Sequence, residues 1–179
     1  MVADKAISIR TMTSARSRAT PDVVWDVVAD LPSHLVWSGE RASDDTFKLL
    51  ELESPDRTAR VGTEFRSTGA NFNGTFHDHS VVTAAARPTS FVIETDATLD
   101  RRRGRTWEAH FEHRYDIAPD GDGSRITYTE TIDRVNYVPY WLSTLARPIF
   151  RPLVNSADRK QLENLARLAE ERARDSSSQ

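Results

Sequence analysis

The sequence predicts an α+β domain in which a curved, seven-stranded antiparallel sheet wraps around a long C-terminal helix, with two short helices after the first strand. Six of the predicted strands follow one another through short turns with no helix between them, which is typical of an antiparallel meander. The last long segment, residues 137–172, carries a one-sided apolar stripe and therefore needs an apolar surface to lie on. The sheet offers that surface, so we expect one domain over residues 1–174, followed by a disordered tail at 175–179.

The first strand and the two short helices are predicted from local signals near the N-terminus. Residues 6–18 alternate in polarity, as a strand with one buried face does. Thr20-Pro21-Asp22 has the features of a helix start, namely a hydroxyl at the N-cap, proline at the first helical position and an acid in the first turn. Asp30-Leu31-Pro32 ends this helix, and residues 34–37 are expected to form a second short helical turn.

The other six strands are predicted from alternation and from the turn residues between them. Their expected ranges are 46–53, 62–68, 75–86, 90–96, 105–118 and 125–135. Asn73-Gly74 is a strong two-residue hairpin signal, and Asp120-Gly121-Asp122-Gly123 turns the chain before the last strand. These turns are too short for crossovers, so neighbouring strands must run antiparallel.

The C-terminal segment has two halves of different character. In the second half, residues 156–172, the side chains with the spacing of one helix face are Leu162, Leu165, Ala166 and Ala169. The first half, residues 137–154, is richer in large apolar groups but contains Pro139, Pro148 and Pro152. Because proline removes a backbone donor and crowds the preceding turn, we expect this half to be broken. The second half should therefore pack on the sheet, and the first half should form the opening of any space beneath it.

The composition excludes several classes of protein. The chain is 38% apolar and 28% charged, and its formal net charge of -3 provides no basic field for nucleic acid. The absence of cysteine excludes disulfides, thiol nucleophiles and thiolate metal sites. No run reaches the ~20 apolar residues of a membrane span, and no glycine-rich phosphate loop is present. We expect a cytoplasmic protein without cofactor or stable membrane insertion, either a monomer or a homodimer.

Several stretches of the chain together resemble one superfamily. They are residues 19–25 followed by Ala29-Asp30, Trp37 at the end of the second short helix, residues 61–66, Val82-Thr83 with Pro88 and Phe91, and residues 113–117 with 123–127. In these stretches the chain resembles the START-like, or helix-grip, superfamily, and within it the polyketide cyclase/dehydrase and lipid transport group. The resemblance implies a deep, mostly apolar cavity between sheet and C-terminal helix that holds a hydrophobic small molecule. The superfamily shares no catalytic motif, so the resemblance bears on architecture more than on activity.

Two polar residues interrupt the inward faces of the last two strands. Alternation makes the odd positions of strand 105–118 the buried ones, and His113 is among them. The even positions of strand 125–135 are likewise inward, and they include Glu130. If Ile117 pairs with Ile126 across the closing hairpin, His113 falls opposite Glu130, where an imidazolium would offset the cost of burying a carboxylate. The pair could then orient a ligand or serve as acid and base, or it could be a structural cross-strand pair, or a register shifted by two could separate it.

The inward face of strand 75–86 is ambiguous from alternation alone. The resemblance of Phe76 to an aromatic residue of the superfamily places Phe76, Asp78, Ser80 and Val82 inside. With this choice, the side chains expected to contact a ligand are Trp37, Phe76, Phe91, Ile93, Trp107, Phe111, His113, Tyr115, Tyr128, Glu130, Trp141 and Leu145. Most are apolar or aromatic, as a site for a hydrophobic molecule requires.

Three other features have a functional and a simpler interpretation. His77 and His79 share one strand face as metal ligands can, but that face is outward and zinc needs three or four ligands, so a solvated face is favoured and no metal is expected. The basic loop 101–105 could meet an anionic headgroup or a phosphate, although a solvated hairpin end is the better interpretation. Residues 137–154 could touch a membrane, but they are needed to cover the sheet.

Three functions follow as hypotheses. The leading one is a binding module that carries or sequesters a hydrophobic small molecule such as a lipid or polyketide. The second is an enzyme, a polyketide cyclase or dehydratase that uses His113 and Glu130, with Tyr128 as a further participant. The third is an interaction subunit whose cavity is collapsed.

Overall fold

The computed structural model describes residues 9–42, 47–55, 58–71, 74–101, 106–133 and 140–177, with only the backbone at residues 133 and 140–156. The strands are β1 (Ile9–Ser17), β2 (Lys48–Glu53), β3 (Glu64–Asn71), β4 (Gly74–Ala86), β5 (Ser90–Arg101), β6 (Trp107–Asp120) and β7 (Gly123–Asp133). The helices are α1 (Pro21–Ala29) and α2 (Tyr140–Ser177), with a 3-10 turn at Leu31–Ser33 and a π-helical segment at Leu35–Glu40 between α1 and β2.

The seven strands form one antiparallel sheet in the order β1-β7-β6-β5-β4-β3-β2. β2 to β7 are a meander, and β1 closes it by pairing with β7 rather than with its sequence neighbour. The sheet is curved and α2 lies on its inner side, so the predicted fold class is confirmed. We call the side that faces α1 and α2 the concave face.

The register of the last hairpin is the one that the sequence analysis required. Ile117 lies opposite Ile126, and His113 therefore lies opposite Glu130. β1 continues the same row with Thr11 next to Glu130, and β5 adds Ile93 next to His113. A single row of inward side chains thus crosses four strands and has His113 and Glu130 at its centre.

β4 presents to the concave face the set that the resemblance of Phe76 indicated. Ser80 and Val82 are buried, while His77 and His79 are exposed on the opposite, convex face. β3 and β4 pair with Asn71 opposite Gly74, which leaves residues 72–73 as their connection. Those two residues lie outside the described ranges, as do residues 102–105 of the basic loop.

The second half of α2 packs on the sheet as predicted. Leu162, Leu165, Ala166 and Ala169 are all buried in the core, together with the apolar side of α1. Burial of a leucine side chain of this kind is worth roughly 2 kcal/mol. The position of α2 is also fixed by hydrogen bonds. The Ser17 hydroxyl donates to the Ala166 carbonyl (3.2 Å), and the Arg18 amide donates to the Glu170 carboxylate (2.9 Å).

The predicted break in the C-terminal segment is wrong. α2 is a continuous helix that runs through Pro148 and Pro152, whereas Pro139 lies outside the described residues. Each proline removes one backbone donor, but the turns on either side keep their hydrogen bonds, so the helix need not end. At its other end α2 extends to Ser177, three residues into the predicted tail, and residues 178–179 lie outside the described ranges.

The closing hairpin packs tightly against the end of β1, and this packing can be tested at Gly123. A Cβ at this position would collide with the Ser17 carbonyl oxygen and stand 3.0 Å from the Arg18 Cα, and neither backbone atom can move away. We expect Gly123→Ala to lower the free energy of unfolding by about 2 kcal/mol, measured by chemical denaturation.

Gly121→Ala in the same hairpin is the matched control. Its Cβ would meet no atom within 4 Å, and the substitution faces only the cost of a positive φ of +66°, about 1 kcal/mol. If Gly123→Ala is no more destabilising than Gly121→Ala, the close packing of β7 on β1 is wrong.

Candidate functional site

A cluster of polar side chains lies on the concave face where β6 and β7 meet. The Tyr128 hydroxyl and His113 Nδ1 share a hydrogen bond of 2.7 Å, while His113 Nδ1 is 3.9 Å from Glu130 Oε1. The Tyr128 hydroxyl, rather than a direct ion pair, is thus the closest partner of the imidazole. The rings of Phe111 and Tyr128 are nearly parallel to that of His113, with ring centroids 5.7 and 6.1 Å away.

α2 adds a second carboxyl group that the sequence analysis missed. The Thr11 hydroxyl donates to Asp158 Oδ2 (3.4 Å), which places Asp158 beside the row that contains Glu130. The sequence does carry a signal for it. Asp158 lies four residues before Leu162 and seven before Leu165, so it is an acid on the apolar stripe of the helix.

Burial keeps His113 and Glu130 in their uncharged forms at neutral pH. Loss of hydration raises the pKa of Glu130 to about 8, an effect that the neighbouring Asp158 carboxyl strengthens and a hydrogen bond with Tyr128 opposes. Burial likewise raises the pKa of Asp158 to about 6 and lowers the pKa of His113 to about 4. The expected imidazolium–carboxylate pair is therefore wrong. At neutral pH the desolvation of both groups outweighs their attraction, and an imidazole faces a carboxylic acid.

Two residues of the short helical segments, Trp37 and His34, pack against Tyr115 on the concave face. The Trp37 ring meets Tyr115 edge-on at 6.3 Å and is itself buried, while its predicted contact with a ligand stays a prediction. His34, which the sequence analysis did not single out, stacks on Trp37 at 4.7 Å and donates from Nε2 to the Val28 carbonyl (2.8 Å). Because burial lowers the pKa of His34 to about 4, it is a neutral structural donor that holds the indole in place.

The concave face has a closed end and an open end. At the closed end the predicted contacts Phe91, Ile93, Tyr115 and Tyr128 are buried, and Phe91 packs edge-on against Trp25 at 6.0 Å. At the open end Phe76, Asp78, Trp107, Ala109 and Phe111 are half-buried, while Ala97 and Leu99 of β5, which lie between them, are buried. The polar cluster stands between the two ends. His113 retains 23% and Glu130 retains 12% of their side-chain surface, so small molecules the size of water can reach both.

The direction of α2 relates the open end to the first half of the helix. Thr11 lies next to Asp158 and Ser17 next to Ala166, so α2 runs in the same direction as β1. The turns before Asp158 therefore continue toward Ile9, the end of β1 that is nearer the half-buried side chains. Trp141 and Leu145, the two predicted contacts on these turns, have side chains outside the described part of the structure.

The convex face carries the other histidines, each beside an acid. His79 Nε2 is 3.3 Å from Glu64, His77 Nε2 is 3.6 Å from Asp100, and His110 Nδ1 is 2.8 Å from Asp96. Within the described ranges no three His, Asp or Glu side chains converge closely enough to hold a metal ion. Nor does any helix in those ranges have an apolar stretch long enough to cross a membrane.

Comparison with protein-family models gives one match. The model described as "Polyketide cyclase / dehydrase and lipid transport" matches residues 8–170, which is most of the chain. The chain belongs to this family. The superfamily that the sequence resembled is thereby confirmed, while the ligand and the activity are not specified by membership.

Solved structures with the same fold align with nearly the whole chain. Mll3558 from Rhizobium loti has 20% sequence identity and a TM-score of 0.62, covering 90% of this chain and 97% of its own. An uncharacterised protein from Rhizobium leguminosarum has 14% identity and a TM-score of 0.64, with 94% and 97% covered. CV1439 from Chromobacterium violaceum has 15% identity and a TM-score of 0.56, with 91% and 97% covered. At these identities the likeness concerns the fold alone, and a comparison with curated proteins finds no match.

The neutral state of Glu130 predicts a pH dependence of stability. A carboxyl group whose pKa is raised by folding, here from 4.5 to about 8, stabilises fully below pH 4.5 and loses that contribution as pH rises through 8. His113 acts in the opposite sense, since its lowered pKa costs stability as pH falls from 6.5 toward 4. Glu130→Gln should therefore abolish only the decrease in stability that occurs as pH rises. Between about pH 5 and about pH 8 the wild type should lose about 3 kcal/mol relative to the variant.

Chemical denaturation at a series of pH values measures this difference. Glu94→Gln, on the exposed side of β5, is the control for loss of a carboxyl group. Parallel stability curves for wild type and Glu130→Gln would show that Glu130 is not a buried acid.

Proposed function

We propose that this protein binds a lipophilic small molecule, a lipid or a polyketide-like compound, between the open end of the concave face and α2. The observation that carries the proposal is the division of the concave face. An apolar region with the half-buried rings of Phe76, Trp107 and Phe111 lies directly beside a small polar cluster, the combination that is typical of small-molecule sites. Carriage or sequestration in the cytoplasm is the simplest use of such a site.

The charge state of the cluster limits the polar group of the ligand. Glu130 and Asp158 are both carboxyl groups, and burial opposes ionisation of each. A ligand carboxylate placed beside them would meet acceptors and, at higher pH, like charge. A neutral group fits better, because a ligand hydroxyl or carbonyl can exchange hydrogen bonds with the Tyr128 hydroxyl and His113. We therefore propose a lipophilic ligand with a neutral polar group at its inner end.

Native mass spectrometry of the protein after mild purification tests the proposal directly. We expect a co-purifying lipophilic molecule, or a thermal shift with members of a library of neutral lipophiles. An empty protein that no lipophile stabilises would contradict binding and would favour an interaction subunit with a collapsed cavity.

Ala109→Phe should block the site without unfolding the protein. Ala109 faces the open end and is half-buried, so a larger side chain can fill free space rather than compress the core. We expect binding of a neutral lipophilic dye such as Nile red to weaken at least about tenfold, equivalent to about 1.4 kcal/mol, with little change in thermal stability. Glu108→Phe, one residue away on the convex face, is the matched control and should leave binding unchanged. Equal dye affinity in both variants would place the ligand elsewhere.

A second candidate function, a cyclase or dehydratase, is favoured by one observation. The neutral imidazole of His113 can accept a proton, and the acid form of Glu130 opposite it can donate one. In an aldol cyclisation His113 would take the proton from a carbon between two carbonyls, and that carbon would form the new bond. Glu130 would protonate the carbonyl oxygen that becomes the hydroxyl. In a dehydration the same pair would remove the adjacent proton and protonate the departing hydroxyl.

Turnover of a linear polyketide mimic tests this candidate. His113→Asn and Glu130→Gln should each lower kcat at least about a hundredfold, the usual size of a lost acid–base contribution, and dye binding should persist. Tyr128→Phe removes the hydroxyl between the two groups and should lower kcat less. An active enzyme in which neither of the first two variants loses activity would exclude the pair from catalysis.

A further inference from the structure

Asp78 is a carboxyl group on the apolar open end of the concave face, far from the cluster at His113. It faces inward on β4 between Phe76 and Ser80. Its Oδ2 accepts a long hydrogen bond from the Ser67 hydroxyl (3.4 Å), whereas its Oδ1 is buried and has no hydrogen-bond partner in the described part of the structure. Half of the hydrogen-bonding capacity of this carboxyl group is therefore unused.

On the β5 side the neighbours of Asp78 across the sheet offer no donor to Oδ1. In its row on β5 and β6 stand Ala97 and Ala109, which have no polar side-chain atoms. In the next row the hydroxyls of Ser80 and Thr95 bond to each other at 2.9 Å. A buried carboxyl oxygen without a donor costs the protein on the order of 1–3 kcal/mol. This cost is recovered if a bound molecule supplies the donor.

The position of Asp78 relative to the cluster sets the length of such a molecule. Asp78 lies two strands from Ala109, and Ala109 lies four residues from His113 along β6. With strand spacing of ~4.8 Å and a rise of ~3.3 Å per residue, the separation is about 16 Å along the sheet. The surface between them is formed by Ala97, Ala109 and Phe111 and by Ser80 and Thr95, whose hydroxyls bond to each other. An extended molecule with polar groups at both ends fits this pattern.

We propose that Asp78 is a second polar contact of the ligand site, specific for a hydrogen-bond donor, a hydroxyl or an amine, at the end of the ligand opposite His113 and Tyr128. This inference rests on the proposed binding function and goes further by assigning the ligand two polar ends. The ligand class is then an α,ω-bifunctional lipophile whose outer group donates a hydrogen bond. A ligand whose outer end is a methyl group or an ether leaves Oδ1 unpaired and binds less tightly.

A set of dodecane derivatives tests the proposal by calorimetry or by displacement of Nile red. The probes are dodecanol, dodecanediol, its mono-methyl ether and ω-aminododecanol, which share one chain and one hydroxyl and differ at the other end. For wild type we expect the diol or the amino alcohol to bind about ten- to a hundredfold more tightly than the methyl ether, as expected for a hydrogen bond to a charged group. The comparison of diol with amino alcohol distinguishes a hydroxyl from an amine as the natural donor.

Asp78→Ala should abolish this preference and leave the affinity for dodecanol within about threefold of wild type. Asp78→Asn retains an acceptor oxygen and should keep part of the preference for the diol or amino alcohol. Asp96→Asn, on the convex side of β5, is the matched control and should keep all of it. Because Oδ1 is unpaired, neither Asp78 variant should lower the free energy of unfolding, which denaturation of each variant checks.

The outcomes separate this inference from the proposed function. If dodecanol binds and Asp78→Ala retains the preference for the diol or amino alcohol over the ether, Asp78 is not the contact and the inference is overturned, while ligand binding stands. A wild type that binds dodecanol but shows no preference among the probes overturns it equally. If none of the probes binds the wild type, the proposed function is contradicted and the inference falls with it.

Discussion

The register of the β6–β7 hairpin determines the content of the concave face. When Ile117 pairs with Ile126, His113 lies opposite Glu130 on the concave face. Thr11 of β1 then lies next to Glu130. A shift of one residue would turn these side chains to solvent and bring charged ones into the core. The apolar side chains on either side of the pair make such a shift costly. The same hydrophobic pattern that folds the sheet therefore places its polar groups.

Low hydration then decides how these groups behave. Between exposed residues a histidine and a glutamate at neutral pH would form an ion pair. On the concave face the pKa of His113 falls and that of Glu130 rises, so both are held in their uncharged forms. The carboxyl group of Asp158 adds to this effect from the helix side. The result is a pair of uncharged polar groups on the inner side of the sheet.

The family's fold permits such a site because the two halves of α2 do different things. The second half fills the closed end of the sheet with leucine and alanine and carries the hydrogen bonds to β1. The part of the sheet toward which the first half extends keeps half-buried aromatic side chains and the carboxyl group of Asp78.

The sequence by itself determined the fold class, the number of strands and the inward faces of the last strands. These depend on local periodicity, and the family resemblance supplied the choice of face for β4. The pairing of His113 with Glu130 followed from one assumed register. The continuity of α2 through Pro148 and Pro152 could not be predicted, because local propensity gives no measure of the packing and hydrogen bonds on either side. The role of His34 and the unpaired oxygen of Asp78 likewise emerged only from the tertiary structure, as did the contact of Asp158 with Thr11. Their roles depend on which atoms from distant parts of the chain stand within hydrogen-bonding distance and on how much water remains around them, and neither quantity is a property of a sequence pattern.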